Sequence, residues 1–339
     1  MRNRSRNDAG FTLAEMLVAM ALTAMVIGAA IETFNRAIGL FSTSRTVSET
    51  DETLQAAMSV MVRDFIQTGR GVPLGGIPIP SGGGSSPVVR PGPGALTFAA
   101  GLTTVPAISP GGGLGPAVIG PQTDIVNLFY ADQTLNLSQF PLTAISPNGQ
   151  TITVNAGTNI GGATGLQVGD LILFSNAQGT ALGMITQLPG GQNVVLAPGD
   201  PLSINQPNAP QGTILNLQSA PGVYPPTTAT RLWMITYYLD NVTDPTTPRL
   251  VRQINDNAPL AIAMGAENLQ LSYDFVDGVT NPANQKNTPV GNSPNQIRKV
   301  NLFLEARSQD VDTSTGAYFR NMMGTEIGLR SLSFKNRYQ

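Results

Sequence analysis

Few side chains in this chain of 339 residues could do chemistry, and two absences set the limits: it has no histidine and no cysteine. That removes imidazole acid–base catalysis, thiol nucleophiles, Cys/His zinc sites and every disulfide. The remaining base for a serine nucleophile would be lysine, present only as Lys286, Lys299 and Lys335, none of them in a Ser-x-x-Lys pattern. No GxSxG elbow, GxxxxGK[ST] loop or HExxH helix occurs. The carboxylates are scattered, with no pair set out for glycoside hydrolysis. The expectation is a protein that is not an enzyme and needs no cofactor. One run has metal-like spacing, with Asp310, Asp312 and Ser314 at alternate positions before Gly316. Its glycine falls one place late for a calcium loop, and Asn321 occupies the position where a closing glutamate belongs. It reads as a solvated hairpin loop or as a calcium site.

The most unusual acid is Glu15. It lies in FTLAEMLVAMALTAMVIGAAI, residues 11–31, otherwise apolar or small apart from two threonines. Such a segment makes a helix of about 30 Å, enough to cross a bilayer. Arg2, Arg4 and Arg6 precede it, which keeps the start cytoplasmic and sends the rest of the chain outward. A cleavable secretory signal, with Ile27-Gly28-Ala29 as a small-residue cut site, would gain nothing from Glu15. Nor would a plain anchor, because an ionisable group in lipid is costly and generally functional.

Gly10-Phe11-Thr12-Leu13-Ala14-Glu15 resembles the type IV prepilin signal: a short basic leader, glycine, phenylalanine, then glutamate fifth after the cut. The resemblance implies cleavage between Gly10 and Phe11 by the prepilin peptidase and N-methylation of Phe11. It also implies that Glu15 is an assembly contact, meeting the terminal nitrogen of a neighbouring subunit. The physics agrees. A cut on the near side of the apolar run keeps the helix, and a retained acid in that helix needs a cation.

No proline occurs before Pro73, so one helix over about 11–70 is expected, apolar over 11–31 and amphipathic over 32–70. Ile31, Phe34, Ile38 and Phe41 repeat at helical steps, and so do Leu54, Met58, Met61 and Phe65. The polar STSRTVSETDET stretch between them is either an exposed part of one helix or a break that Ser48 and Asp51 recap. Glycine (37) and proline (26) crowd residues 71–230, where short strands around turns such as Asn148-Gly149 suggest an all-β insertion. Between Arg90 and Arg231 there is no lysine or arginine. The insertion is either filler or a binding module, and a concave surface bearing aromatics would favour the module.

Residues 231–339 alternate with period two: Leu269, Leu271, Tyr273 and Phe275 share one face, as do Val300, Leu302, Leu304 and Ala306. Arg231–Leu239, Arg249–Ile254, Gln270–Val276, Ile297–Arg307 and Ile327–Phe334 read as an antiparallel meander covered by the Leu54–Phe65 face. The fold expected is α+β, a long N-terminal helix packed on an antiparallel head sheet with a Gly/Pro-rich all-β insertion. The last third looks like the large minor pilins of the PilW type and their type II secretion counterparts. That resemblance implies a subunit first held in the inner membrane with a periplasmic head, then moved into a pilus or pseudopilus at the cell surface. Its partners would be the prepilin peptidase and other pilins or pseudopilins. The alternative is a tip-displayed module binding DNA or a surface ligand. Net charge of −2 and 12% charged residues give no bulk nucleic-acid footprint. Only Arg320, Arg330, Lys335 and Arg337 make a cationic end, which edge strands also use to stay apart.

Overall fold

The computed structural model describes residues 12–135, 137–158, 160–161, 165–276, 285–286, 293–312 and 315–334. It opens with one helix, α1 (Leu13–Gln67), of 55 residues. At ~1.5 Å per residue this is about 80 Å long. The hydroxyl-rich stretch does not break it. Ser42, Thr46, Thr50 and Thr53 turn their hydroxyls back onto carbonyls of the preceding turn, so their donors are satisfied within the helix at some cost to its stiffness. The helix ends at a backbone that glycine alone adopts without strain. Gly69 has φ +82°, and its N–H donates to the Phe129 carbonyl at 2.9 Å.

Fourteen strands carry the main sheets. They are β1 (Ile108–Gly111), β2 (Ile125–Ala131), β3 (Ala144–Ile145), β4 (Thr151–Thr153), β5 (Leu171–Asn176), β6 (Gly179–Met184) and β7 (Gln187–Gly190). The chain continues through β8 (Asn193–Val195), β9 (Thr228–Asp240), β10 (Arg249–Ile254), β11 (Leu260–Met264), β12 (Ala266–Phe275), β13 (Ile297–Val311) and β14 (Tyr318–Gly328). The short helix α2 (Arg330–Phe334) follows. All their ladders are antiparallel.

The expected single meander is two sheets. β12, β13 and β14 form one, flanked by the two-residue strand Gln285–Lys286. β9 and β10 belong to a seven-stranded sheet, in which β9 pairs with β2, β5 and β10. The reason is the length of β9. Its 13 residues offer more backbone donors than one neighbour can use, so pairing crosses residue 230. β3, β4, β7 and β8 make a separate four-stranded sheet, with Gly149 (φ +69°) in the Asn148-Gly149 hairpin turn. It packs against β5, β6 and β9 around a second core that includes Ile152, Phe174 and Val194. Ile327–Phe334 is not a strand: the ladder stops at Gly328, and the chain turns into α2, where Leu332 tucks against Gly69.

The helix-on-sheet core is as expected. Leu54, Met58, Met61 and Phe65 are buried with Leu269, Leu271 and Tyr273 of β12 and Val300, Leu302 and Leu304 of β13. A chain beginning at Arg45 keeps this face and is expected to be a soluble, folded, monomeric head. A chain beginning after Phe65 bares the sheet and should aggregate. Sedimentation and thermal melting of the two check this, and equal behaviour would refute the helix–sheet core.

Candidate functional site

Glu15 sits in the first turn of α1, and the sequence around it builds a capping box. The Thr12 backbone N–H donates to Glu15 Oε2 at 3.0 Å, and the Thr12 hydroxyl donates to the same oxygen at 2.9 Å. The Glu15 N–H reaches Thr12 Oγ1 at 3.3 Å. Threonine at the cap with glutamate three residues on is the pairing that satisfies two orphan amides reciprocally. The carboxylate is thus held at the positive end of the helix dipole, where an anion is stabilised. Gly10 and Phe11 lie outside the described residues.

Beyond this cap the helix buries no residue before Thr50. Leu13, Met16, Leu17, Val18, Met20 and Met25 are all exposed, and the 18-residue stretch apolar enough to cross a membrane has none of its residues buried within the molecule. A soluble domain does not leave such a surface bare without something to cover it. The apolar side chains continue along the stalk as Phe34, Ile38, Leu40 and Phe41, each at least half exposed. The Glu32–Arg36 pair beside them is a solvent-exposed i,i+4 bridge.

The head first takes hold of α1 at Thr43, whose hydroxyl lies 2.9 Å from Asp312 Oδ2. One member of the metal-like run is therefore turned to the helix. Asp310 is exposed, Ser314 lies outside the described residues, and among the described residues no group of three acids could hold a metal ion. Arg320 is bound to Glu267 at 2.7 Å, Arg330 is exposed, and Lys335 and Arg337 lie outside the described residues. Lys299 lies 2.8 Å from Glu326 and 3.4 Å from Asp274, in a surface ion-pair group and not in a nucleophile's neighbourhood.

Sequence reasoning missed the strongest polar anchor. Asp64 is on the buried face of α1, 1% exposed. Its carboxylate accepts from Tyr237 Oη at 2.6 Å, Arg252 Nε at 2.6 Å and Tyr130 Oη at 3.2 Å. Burial, then the Asp64 charge, pushes the Tyr130 phenol up to about 12 and raises the Tyr237 phenol as well, so both hydroxyls stay protonated and donate. The available signal was an acid between Met61 and Phe65 on an otherwise apolar helix face. Nothing local names partners from β2, β9 and β10. In the insertion, an open cleft of about 360 Å³ is lined by Gly83, Ser85, Ser86, Ser203 and Gln206 with no aromatic ring.

Residues 5–31 match the family model described as the prokaryotic N-terminal methylation motif. The chain carries a prepilin-type signal on a fold of the pilin kind: a long N-terminal helix, apolar in its first half, and antiparallel sheets packed on its second. The apolar half fits a membrane anchor. No curated protein and no solved structure matches the chain.

Proposed function

We propose that the chain is a minor subunit of a type IV pilus or of a type II secretion pseudopilus. The prepilin peptidase cuts between Gly10 and Phe11, Phe11 is N-methylated, and the apolar helix waits in the inner membrane with the head on the periplasmic side. Extraction then places that helix in the filament core. The observation that carries this reading is the bare apolar half of α1 with one carboxylate, Glu15, held at its start. In the membrane Thr12 satisfies that carboxylate. In the filament the terminal amine of a neighbour replaces or joins Thr12, and the charge pair sets the axial register. The insertion cleft lacks aromatic stacking surface, which supports assembly as the work of this chain in preference to ligand capture.

Mass spectrometry of the mature N-terminal peptide tests the processing step. The expected peptide begins at Phe11 and is heavier by one methyl group. A mature chain starting near Ala30 would mean ordinary signal-peptidase cleavage and would end the pilin reading.

A further inference from the structure

The place where α1 leaves the head has features that packing does not explain. Gly39 lies inside the helix, and a Cβ built there would meet nothing within 4 Å. Glycine in a helix interior is unfavourable relative to alanine, and no close approach within the molecule requires it here. Its carbonyl has also become a collecting point. Ser42 Oγ lies 2.8 Å from it and Thr43 Oγ1 lies 3.1 Å from it, besides the main-chain bond of the helix. Hydroxyls back-bonded in this way loosen and bend helices. One of the two is contested, because Thr43 Oγ1 is also 2.9 Å from Asp312 Oδ2, the first head group that the helix meets.

We propose that α1 is jointed at Gly39–Thr43, and that the single hydroxyl proton of Thr43, given either to the Asp312 carboxylate or to the Gly39 carbonyl, sets whether the anchor stands in line with the head or swings. A hydroxyl has one proton to donate. Docked, that proton goes to the charged acceptor, the stronger of the two. Undocked, it falls back on Gly39, so the Thr43 hydroxyl has an acceptor in either state. Two satisfied states separated by one hydrogen bond make a low-cost hinge. For a membrane-anchored subunit the joint lets the head search for neighbours while the apolar span stays fixed. The inference assumes that the apolar half of α1 is the anchor but not that the chain enters a filament.

The chain has no cysteine, so a label pair is clean. Full-length protein in detergent, carrying Ala24→Cys and Met322→Cys with spin labels, reports the angle between anchor and head as a distance distribution. Two populations are expected. Gly39→Ala should raise the in-line population about fivefold, from helix propensity alone. Thr43→Val, which keeps the shape and removes the hydroxyl, should move weight to the swung population, while Thr43→Ser should restore the parent distribution. A single narrow distance in the parent chain, or widths unchanged by Gly39→Ala and Thr43→Val, overturns the joint. Insertion into bilayer nanodiscs is scored separately, so failure of the anchor reading is visible without deciding the hinge.

Discussion

Asp64→Ala is expected to cost the head about 3–5 kcal/mol, the usual loss when one partner of a buried pair is removed. The carboxylate is satisfied by three donors from three strands, and its side chain is 2% exposed against 16% for Arg252. Its loss removes the acceptor of a guanidinium and two phenols, of which the two phenols are buried and Arg252 is largely so. Asp64→Asn should cost less, since one amide oxygen can still accept from Tyr237 or Arg252, although the charge is gone. The double variant Asp64→Leu/Arg252→Met should recover part of the loss, because a matched apolar pair removes the stranded charge. Denaturant unfolding of the chain beginning at Arg45 measures all three. A loss below ~1 kcal/mol for Asp64→Ala, the size of a single net hydrogen bond, would mean that the cluster does not hold α1 to the sheet.

For Glu15 the largest expected effect is on assembly and not on folding. Glu15→Ala removes an acid from the apolar span and makes that span easier to insert, so the membrane fraction should be equal or higher. Its second consequence is local: Thr12 loses the acceptor for its N–H and hydroxyl, and the first turn frays. Recruitment into filaments should fall by an order of magnitude or more, since removing the acid leaves the neighbour's amine buried and unpaired, at a cost of several kcal/mol. Glu15→Gln separates the two roles. It keeps the cap, because a glutamine oxygen still accepts from Thr12, but removes the charge. Equal loss with Gln and Ala would assign the defect to the charge pair, whereas rescue by Gln would assign it to the cap. The readout is the fraction of subunit in sheared filaments, or crosslinked to other pilins, against the fraction in membranes. Normal incorporation of Glu15→Ala would defeat the registration role, except for a subunit at the extreme tip with no neighbour above it.

Local pattern was legible where one surface decides it. The steps Leu54, Met58, Met61, Phe65 and the alternation Leu269, Leu271, Tyr273 named both faces of the helix–sheet core, because burial has the period of the element. The apolar run was legible because lipid tolerates few alternatives, and the Gly10–Glu15 string through its resemblance to the prepilin signal, in a stretch that matches the N-terminal methylation motif. Strand partners were not. That β9 pairs with β2 and β5 follows from long-range hydrogen bonding that no local window carries. The Asp64 cluster was hidden for the same reason: its donors, Tyr130, Tyr237 and Arg252, come from distant strands. The spacing at Asp310 and Asp312 left a solvated loop and a calcium site both open, and no local window carries the contact between Asp312 and the Thr43 hydroxyl of the helix.

The contacts that fasten α1 to the head also fix a timetable for making the protein. Thr43 meets Asp312, Asp51 meets Asn321, and Gly69 meets Leu332. The second half of the helix is thus synthesised early, while the strands that cover it come from the far end of the chain. At ~5–20 residues per second, a ribosome needs about 10–50 s to make the stretch between them. Through that interval Leu54, Met61 and Phe65 have no sheet to lie on. Maturation is therefore a race between completion of the last strands and capture of the uncovered helix by something else. A nascent head of this kind depends on a holding chaperone more than its finished stability would suggest.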